Sequence, residues 1–505
     1  MCGQTRGSSD LCFLRAENSF TPCAEEVSLS KSFHNRILVL GAGSVSQCVV
    51  PLLLEHLVEG KQMTIVDQRD TRSRFADSIA KGATYTNDQL TRENMDQFLS
   101  KYLSAGDFLL DLAWNIDVND ILGWAHDHGV IYLNTSLELW DPNSNPSART
   151  PQERTLYYRH MKLRKLTDTW AGKGPTAIVE HGANPGLVSH LTKKALVDIA
   201  TRAIKENKAG PGVESALTAD DYPHLAQALG VKVIHIAERD TQISDKPKLV
   251  NEFVNTWSVE GFYEEGIAPA ELGWGTHEKT LPAKAFTHTG GPENQIGIAQ
   301  PGATTWVRSW VPNMETTGMV VRHGEAFTIS DFLTVRENGK AVYRPTVHYA
   351  YCPTDAAIAS MRELEMHQWN ITENQRIMND EIIDGSDRLG VLLMGHVYKS
   401  WWTGSLLNIH DARKLIPGQS ATTVQVGSAV FAAIAWAMKN PERGYMVPDD
   451  MPWREVLPYA EKYWGGYHSE AADWDPMMHR NDLFKGWNGR QYDESDPWQF
   501  TNFLA

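Results

Sequence analysis

The stretch Arg36-Ile-Leu-Val-Leu-Gly-Ala-Gly-Ser-Val-Ser-Gln-Cys48 decides the fold of the first part of this chain. Its apolar start, Ile37 to Leu40, is typical of a buried strand in a parallel sheet. Gly41 and Gly43 follow directly, and they permit a tight turn and a close approach of the backbone to a pyrophosphate. The apolar segment Val49 to Leu57 has the length and spacing of the helix whose positive end would face that group. The stretch therefore predicts a dinucleotide site.

A second strand, Met63 to Val66, ends at an acid, Asp67. A carboxylate at this point accepts hydrogen bonds from a ribose 2′-hydroxyl and repels a 2′-phosphate, which predicts NAD rather than NADP as cofactor. The third glycine of the usual pattern is replaced by Ser46, and we expect the helix and strand to pack slightly further apart there.

Composition limits the classes of protein that this chain can be. Its 505 residues are too many for one core, so two or three domains are expected. The longest apolar run, Ala429 to Met438, is far shorter than the ~20 residues that cross a bilayer. Residues Met1 to Ser30 lack the apolar core of a signal peptide. These features predict a cytoplasmic protein.

Charge and cysteine content narrow the partners. The chain has 47 basic and 62 acidic residues, a net charge of −15. An acidic surface disfavours nucleic acid and anionic membranes and attracts cationic small molecules. Cys2, Cys12 and Cys23 crowd the N-terminal segment at spacings that match no zinc motif, so no metal site is predicted.

Alternating strands and helices continue beyond Asn35. Three more strands are predicted, at Phe108 to Ala113, Val130 to Leu133 and Thr176 to Val179. This alternation predicts a doubly wound parallel sheet, in which ligands bind beyond the carboxyl ends of the strands. The predicted cofactor-binding residues are Gly41, Gly43, Ser44, Val45, Asp67, Ala113, Trp114, Asn115, Asn134, Thr135, Ser136, Asn184 and Pro185.

The pattern changes after Leu187. Residues 200–350 are rich in Trp, Gly, Thr and His with short β-like runs such as Val231 to Ala237, which predicts an antiparallel sheet with helices on one side. Gly390 to Tyr398 is interpreted as the last strand of that sheet. Thr422 to Lys439 has the apolar density of a buried helix that returns to the nucleotide domain. The last 60 residues show no clear period.

The predicted fold is therefore α/β, with a Rossmann-type doubly wound parallel sheet plus a second α+β domain for substrate binding and dimerisation. The predicted divisions are a mobile extension over 1–32, an NAD-binding domain over 33–186 completed by a helix at 417–440, a substrate-binding domain over 187–416, and a C-terminal segment over 441–505 that packs on the body.

Carboxylates interleaved with tryptophans mark the candidate substrate site. Glu238 and Asp240 end a predicted buried strand, and Trp257 lies a few turns further on. Acids balance the charge of an alkylammonium ion and take up its proton, and an indole face binds the cation with up to ~2 kcal/mol when desolvated. Further polar segments are Glu264 to Gly266, Glu271 to Glu278, Arg322 to Glu325 and Gly385 to Asp387.

Structural interpretations of the same residues stay open. Trp257 and Trp274 are alternatively core aromatics, and His323 is alternatively a buried structural histidine. The remaining alternatives are an ion pair of Glu238 with Arg239 and one exposed helix face formed by Glu264, Glu271 and Glu278, which are seven residues apart.

Several long motifs resemble those of bacterial homospermidine synthases, in the wider saccharopine dehydrogenase-like group. The motifs are Asn134-Thr-Ser-Leu-Glu-Leu-Trp140, His181-Gly-Ala-Asn-Pro-Gly-Leu-Val-Ser-His190, Ala237-Glu-Arg-Asp-Thr-Gln242, Asn255-Thr-Trp257, Glu271-Leu-Gly-Trp-Gly-Thr-His-Glu278 and Asp387-Arg-Leu-Gly-Val-Leu-Leu-Met-Gly395. The resemblance covers about Asn35 to Asn440.

The resemblance implies an enzyme that joins two putrescine molecules into homospermidine and releases ammonia. In that family NAD⁺ takes a hydride from the first diamine, ammonia leaves, the second amine adds, and the Schiff base is reduced by the same NADH. The predicted assembly is a homodimer. The pocket residues carried over by position are Glu138, Asn184, Glu238, Trp257, Glu265, His323, Glu325 and Asp387.

Within that set the resemblance makes Trp257 the cation-binding indole and Glu238 and Glu265 the ammonium-anchoring acids. Arg388 follows Asp387, which leaves the local charge balance open. Two alternatives remain. A saccharopine- or carboxynorspermidine-type dehydrogenase would place arginines in its pocket to bind carboxylates, and a non-catalytic sensor would bind NAD or polyamine without turnover.

Overall fold

The computed structural model describes residues 29–142, 148–481, 483–484, 487 and 492–505 of the 505-residue chain. The predicted mobile extension over 1–32 lies outside the described residues except for 29–32. Its three cysteines also lie outside them.

The described residues form strands that belong to two large sheets and three small ones. The strands are β1 (Ile37–Leu40), β2 (Met63–Asp67), β3 (Thr84–Asn87), β4 (Phe108–Asp111), β5 (Ile131–Asn134), β6 (Ala177–Ile178), β7 (Val233–Asp240), β8 (Ile243–Ser244), β9 (Glu252–Asn255), β10 (Pro269–Gly273), β11 (Ala285–Thr287), β12 (Gln295–Pro301), β13 (Trp306–Val311), β14 (Met314–Met319), β15 (Val335–Glu337), β16 (Lys340–Tyr343), β17 (Thr346–Cys352), β18 (Asn374–Ile377), β19 (Ile382–Asp384), β20 (Ser386–His396), β21 (Lys399–Asn408), β22 (Tyr445–Met446) and β23 (His468–Ala472).

Helices connect these strands and cover the sheets. They are α1 (Ser44–His56), α2 (Ala76–Ala80), α3 (Met95–Tyr102), α4 (Val118–Asp127), α5 (Leu156–Thr167), α6 (Leu187–Lys205), α7 (Val213–Thr218), α8 (Tyr222–Leu229), α9 (Val259–Ile267), α10 (Gly324–Phe332), α11 (Asp355–Met366), α12 (Ile409–Leu415), α13 (Ala421–Lys439), α14 (Trp453–Glu461) and α15 (Phe500–Phe503).

The first sheet has seven parallel strands in the order β22-β6-β5-β4-β1-β2-β3. Strand β1 lies centrally, and every residue of β1, β4 and β5 is buried, which explains their continuous apolar runs. The predicted α/β class with a Rossmann-type sheet is confirmed. Strand β4 ends at Asp111, earlier than the predicted Ala113, and the predicted strand at Thr176 to Val179 is shortened to β6.

The second sheet has ten strands. Its main path is β11-β12-β10-β17-β7-β20-β21-β23, and the hairpin β13–β14 joins it through β17. Strands β7 and β17 run parallel, whereas the other neighbouring strands along that path are antiparallel. This mixed sheet places β7 and β20, which carry the candidate acids, in its buried centre.

The interpretation of Gly390 to Tyr398 as the last strand is wrong. Strand β20 begins at Ser386 and lies between β7 and β21, and β21 and β23 follow it in the same sheet. The hairpin between β20 and β21 is closed by pairing of His396 with Lys399, without the Asn-Gly or Asp-Gly pair that usually marks such a turn. The sequence therefore gives no signal that β21 follows at once.

Helix α13 joins the two sheets. It packs against α1 and α14 and also contacts β5 and β20. Its N-terminus is closed by reciprocal bonds between Ser420 and Thr423. By length and composition this helix alone among the described segments is apolar enough to span a membrane, but 89% of its most apolar window is buried inside the protein. That burial is what a core helix requires, because α13 contributes to a hydrophobic cluster that includes residues of both large sheets.

The crossing of α1 and α13 depends on a glycine. A Cβ at Gly427 would lie 2.5 Å from the sulfur and 2.8 Å from the Cβ of Cys48. Gly427→Ala should therefore destabilise the protein by about 1–3 kcal/mol through overpacking. Cys48→Ala should restore part of the loss, because it removes the sulfur but not the Cβ. Thermal unfolding of the single and double variants measures both effects.

Gly123→Ala is the matched control. This glycine lies in α4, and its nearest neighbour to an added Cβ is a Leu166 methyl at 3.9 Å. Alanine should stabilise that helix by about 0.5–1 kcal/mol. Equal effects of Gly427→Ala and Gly123→Ala would contradict a close α1–α13 contact.

Candidate active site

A cleft of about 520 Å³ opens beyond the carboxyl ends of β1, β2 and β4. Eight of the predicted cofactor residues line it: Gly41, Gly43, Ser44, Val45, Asp67, Ala113, Trp114 and Asn115. Ser258, Glu260 and Ile377, which lie beyond the first sheet in the chain, complete the opposite wall. The cleft therefore lies between the two parts of the molecule, where a dinucleotide binds in open α/β sheets.

The two glycines of this cleft have different structural roles. Gly41 has φ +87°, and a Cβ there would lie 2.6 Å from the Leu112 carbonyl oxygen, so the turn itself requires glycine. A Cβ at Gly43 would meet no atom within 4 Å. That open space faces the start of α1, and a pyrophosphate fits it. Ser46 is fully buried, and its hydroxyl donates a hydrogen bond to the Gly41 carbonyl.

Asp67 holds the turn at the end of β2. One carboxylate oxygen accepts the Ala42 N–H at 2.7 Å, and the other accepts the Arg69 N–H at 2.7 Å. Each oxygen keeps a further lone pair for a ribose hydroxyl. The Arg69 guanidinium lies 3.6 Å from Glu260 across the cleft, so this positive charge is already partly balanced by a carboxylate.

The other predicted cofactor residues connect the sheet to buried acids. The Asn134 side chain accepts the Glu180 N–H at 2.8 Å and donates to the Tyr132 hydroxyl at 3.0 Å. The hydroxyl of Ser136 donates to Glu138 at 2.9 Å. Asn134 therefore fixes the loop after β6, whereas Ser136 binds the buried acid Glu138.

The loop from His181 to Gly186 has the same connecting role. The Gly182 N–H donates to the carbonyl of Pro185 at 2.7 Å, and a Cβ at Gly182 would lie 3.7 Å from a methyl of Thr135. Asn184, which precedes a cis peptide bond, donates from its amide to Glu238 at 3.2 Å. The predicted residues Thr135, Asn184 and Pro185 thus lie together, and Asn184 reaches an acid of the second sheet.

Three buried carboxyl groups lie together on the central strands of the second sheet. Glu238 and Asp240 are two residues apart on β7 and share a face of the strand. Asp387 on β20 pairs directly with Asp240. Glu238, Asp240 and Asp387 are 3%, 1% and 0% exposed. We call these three residues the acid cluster.

The members of the acid cluster differ in their hydrogen bonds. Asp240 accepts bonds from the Gln242 backbone at 2.8 Å and the Thr256 hydroxyl at 3.1 Å. Glu238 accepts bonds from the Asn184 amide and the Tyr349 hydroxyl. Among the described residues, neither carboxyl oxygen of Asp387 accepts a hydrogen bond of good geometry, and the Thr422 side chain is the donor that lowers its pKa.

Burial and mutual repulsion keep protons on this cluster. Burial, with the charge of Asp240 nearby, raises the pKa of Glu238 to about 8. Burial, together with Glu238 and Asp240, also raises the pKa of Asp387 well above its ordinary value. A cation that enters the cluster would favour the ionised forms and displace these protons.

Arg388 does not neutralise the cluster. Strand alternation directs it to the face opposite Asp387, and its guanidinium donates to the Pro312 carbonyl at 2.7 Å. Arg239 likewise alternates with Glu238, so the proposed Glu238–Arg239 pair is wrong, and Arg239 binds Asp355 at 2.8 Å. The charge balance that the sequence left open is therefore resolved without a guanidinium bound to the cluster.

An aromatic wall adjoins the acid cluster. Trp257 is partly buried, and its indole N–H donates to the Tyr351 hydroxyl at 2.9 Å. Tyr351 stacks on Tyr349 with ring centroids 4.9 Å apart and planes at 15°. The rings of His323 and Tyr349 form a T-shaped contact with centroids 4.3 Å apart. The structure thus brings the predicted Trp257 and His323 to the same wall as Glu238.

His323 lies between two carboxylates. Its Nδ1 is 3.1 Å from Glu325, and its Nε2 is 3.2 Å from Glu265. Burial lowers the pKa of His323, but these two acids outweigh burial and raise the pKa well above its ordinary value. His323 therefore carries a proton at neutral pH, and Glu265 and Glu325 are its counter-ions.

A second group of charges surrounds Glu138. Glu138 has a pKa raised to about 7 by burial and by Glu264. Glu264 in turn binds both Arg159, at 2.6 Å, and Arg322, and accepts the Trp114 indole N–H at 3.4 Å. Arg322 and Arg159 lower the pKa of Glu264 to about 2 despite the opposing effect of burial. Both guanidiniums are thus already paired within the protein.

Other polar residues of the predicted segments are structural. Glu271 on β10 accepts the Leu156 N–H at 2.6 Å at the start of α5, and Glu278 accepts the Thr346 hydroxyl at 2.6 Å. The interpretation of Glu264, Glu271 and Glu278 as one helix face is wrong, because they lie in a helix, a strand and a loop. Trp274 packs in the core of the second sheet.

Tyr349, Tyr351 and Arg159 are site residues that the sequence did not reveal. The two tyrosines alternate along β17, and only that i, i+2 spacing in a buried strand could have indicated a shared face. Among the described residues no group of three or more His, Cys, Asp or Glu side chains is arranged to hold a metal ion.

Comparison with known proteins identifies the relatives of this chain. Residues 37–178 match the saccharopine dehydrogenase NADP binding domain, and residues 182–464 match the saccharopine dehydrogenase C-terminal domain. Homospermidine synthase of Blastochloris viridis is 39% identical over 488 residues, 93% of this chain and 97% of that protein. The enzyme of the same name from Mesorhizobium japonicum is 38% identical over 480 residues, 93% of this chain and 96% of that protein.

A solved structure shows the same fold. The homospermidine synthase of Legionella pneumophila, determined in complex with NAD, has a TM-score of 0.83 and 35% identity, and the match covers 94% of this chain and 98% of that one.

The two glycines of the cleft predict opposite phenotypes. Gly41→Ala should lower the thermal midpoint, equivalent to about 1–3 kcal/mol, because the added Cβ meets backbone and φ is positive. Gly43→Ala should leave the midpoint unchanged and weaken NADH binding by about tenfold or more, because its Cβ occupies space meant for phosphate. Thermal unfolding and NADH fluorescence titration measure the two effects. Undiminished NADH binding by Gly43→Ala would contradict the pyrophosphate position.

Proposed function

This chain belongs to the homospermidine synthase family of the saccharopine dehydrogenase group, and we propose that it joins two putrescine molecules into homospermidine with release of ammonia. The observation that carries the proposal is the acid cluster. Three carboxyl groups are buried close to an indole, and among the described residues the Asp387 carboxyl accepts no hydrogen bond of good geometry, although the Thr422 side chain lies near enough to lower its pKa. A diammonium ion supplies both the charge and the hydrogen-bond donors that this arrangement lacks.

NAD is the proposed cofactor, in the cleft at the first sheet. Gly43 leaves room for its pyrophosphate, and Asp67 offers acceptors to its ribose. When bound, NAD accepts a hydride from the carbon beside one amine and returns it after the second diamine has added. Two putrescines thus give one homospermidine and one ammonia with no net oxidation.

The residues of the chain would handle the charges and protons of this reaction. An alkylammonium ion has a pKa of ~10.4 and arrives protonated, so it must lose a proton before the adjacent carbon can donate hydride. Glu238 is mostly protonated before the diamine binds, because its pKa is about 8, and once the cation has displaced that proton its carboxylate is placed to accept one from the substrate. One protonated His323 is shared by Glu265 and Glu325, so this group keeps a net negative charge, which favours Glu265 as an anchor for the other ammonium. Trp257 offers its indole face to the cation.

The alternative, a dehydrogenase for carboxylate substrates, is disfavoured because the buried arginines of this chain are already paired. Such a pocket needs a guanidinium free to bind a carboxylate. Both buried arginines near Glu138, Arg159 and Arg322, bind Glu264, and they also donate to the backbone carbonyls of Leu137 and Arg154. The alternative of a non-catalytic sensor predicts binding without turnover and is tested below.

We place the enzyme in the cytoplasm as a homodimer. The acidic net charge of −15 and the burial of α13 support a setting in water. The homodimer rests on the family resemblance.

The first expected result is product formation with an NAD requirement but no NAD consumption. Purified protein with putrescine and a substoichiometric amount of NAD⁺ should give homospermidine and ammonia in many turnovers, which mass spectrometry and an ammonia assay quantify. Accumulation of NADH in proportion to product would contradict a closed redox cycle. Diamine and NAD binding without any product would instead support the sensor.

The second expected result is proton release on diamine binding. At pH 7 Glu238 is mostly protonated because its pKa is about 8, and a bound cation lowers that pKa, so protons leave the protein. Calorimetry of putrescine binding to the NADH-loaded protein, in buffers of different ionisation enthalpy, measures this release. Glu238→Gln should release fewer protons, and its difference from the native protein should shrink toward pH 9, where Glu238 is already ionised.

Glu278→Gln is the control for this experiment. Burial raises the pKa of Glu278 to about 7, but its bonds are to Thr346 and Phe500. It should release as many protons as the native protein. Proton release that is the same in Glu238→Gln and native protein would mean that the diamine does not bind at the acid cluster.

A further inference from the structure

Two tyrosines of strand β17 form a rigid unit between the acid cluster and the aromatic wall. Tyr349 and Tyr351 are 3% and 1% exposed and alternate on one face of the strand. Their rings stack at 4.9 Å with planes at 15°. Phe262 forms a T-shaped contact with Tyr351, with ring centroids 5.6 Å apart, and His323 forms one with Tyr349, with ring centroids 4.3 Å apart. Neighbours on two sides therefore restrain both rings.

Each hydroxyl of this pair contacts a different proposed substrate-binding group. The Tyr349 hydroxyl donates to the Glu238 carboxylate. The Tyr351 hydroxyl accepts the indole N–H of Trp257 at 2.9 Å. Glu238 lies on β7 and Trp257 follows β9, so the two come from different elements of the fold. The stacked tyrosines connect them by one hydrogen bond at each end.

The backbone fixes this connection. Strands β17 and β7 are parallel neighbours, and their register pairs Tyr351 with Glu238. The tyrosines therefore cannot slide relative to the carboxylate without breaking the central pairing of the second sheet. The indole is also packed from a second direction, against the Phe262 ring with centroids 6.1 Å apart, and it lies so close to Gly261 that an added Cβ there would be 2.8 Å from it. The separation between the Glu238 carboxylate and the Trp257 indole is thus set by the fold through two side-chain hydroxyls.

We propose that Tyr349 and Tyr351 determine the chain-length selectivity of the enzyme for its diamine. The inference rests on the proposed function, in which Glu238 accepts a proton from the reacting nitrogen of the diamine, and it assigns the Trp257 indole, together with Glu265, to the other nitrogen. Adding or removing one methylene moves one nitrogen relative to its partner while the other stays bound. A fixed separation rejects that mismatch, because a displacement of about 1 Å can cost on the order of 10²-fold in rate. A separation that can relax tolerates it.

Phenylalanine variants separate this role from packing. Tyr349→Phe and Tyr351→Phe keep the rings and remove one hydroxyl each, so we expect both to fold. The measurement is kcat/KM with 1,3-diaminopropane, putrescine and cadaverine, each offered alone and in equimolar competition, with products quantified by mass. We expect the ratio between the best and the next-best diamine to fall about tenfold in each variant. The double variant should fall by less than the product of the single effects, because both hydroxyls hold one separation.

Two controls accompany these variants. Tyr343 ends β16, the strand that precedes β17 in the chain, and its hydroxyl donates to the Val231 carbonyl at 2.8 Å. Tyr343→Phe removes this hydroxyl, and its selectivity ratio should match the native one. NADH affinity should be unchanged in all variants, since neither tyrosine lines the cofactor cleft.

The outcomes distinguish the selectivity role from the function itself. Unchanged ratios in both variants, or an equal loss of activity toward all three diamines, would overturn the selectivity role while the proposed function stands. A native protein that makes no homospermidine from putrescine would overturn both. Calorimetric dissociation constants of the three diamines give the same comparison without turnover, and they should converge in the variants.

Discussion

The burial of carboxyl groups between central strands of a sheet is the constraint that shapes the rest of this site. Removing an ionised carboxylate from water costs several kcal/mol unless hydrogen bonds, a proton or a counter-ion compensates. Hydrogen bonds from Gln242 and Thr256 compensate Asp240 in part, although burial still raises its pKa. Glu238 and Asp387 instead retain protons, as their raised pKa values indicate. A diammonium substrate is the remaining form of compensation, and in the proposed function the cluster would bind this cation by exchanging it for protons.

The number of acids in the pocket does not by itself define its preference for a cation. Glu264 is also buried, yet two guanidiniums bind it and its pKa falls to about 2. That group is neutralised within the protein and can serve as a rigid support beside Glu138. Glu238 and Asp387 bind no guanidinium in the described structure. Only the difference in counter-ions distinguishes a site for a cationic substrate from a structural ion network.

Local signals in the sequence predict the cofactor half of the site, and non-local pairing explains why the other half is less predictable. Gly41, Gly43 and Asp67 act within one strand-turn-helix-strand unit, so their spacing reports their geometry directly. Glu238 and Asp387 lie almost 150 residues apart, and they meet only because β7 pairs with β20. The pattern of carboxylates and tryptophans marks both as candidates and the family resemblance places them in one pocket, but no periodicity shows that they meet.

The strands that carry the substrate site show the same limit. The hairpin between β20 and β21 lacks a turn signal, so the sequence predicts the end of the sheet at β20, two strands too early. Tyr349 and Tyr351 look like ordinary core residues until the parallel register of β17 with β7 is known. Glu271 has the composition of a site residue but binds the start of α5. In each case the role of the residue or strand depends on which element of the fold packs beside it.

In the proposed reaction a hydride passes from the substrate to the cofactor and later back to the product. The two sheets must keep one relative position throughout, because the reacting atoms must lie within about 3–3.5 Å in both steps. One hydrophobic cluster contains residues of both sheets, such as Ile37 and Ile234, but apolar packing is not directional. Directional links complete it. Asn184 reaches from the first sheet to Glu238, and Arg159 on α5 binds Glu264 on α9. The proposed reaction uses its cofactor twice without releasing it. A fixed relative position of the two sheets gives both hydride steps the same geometry.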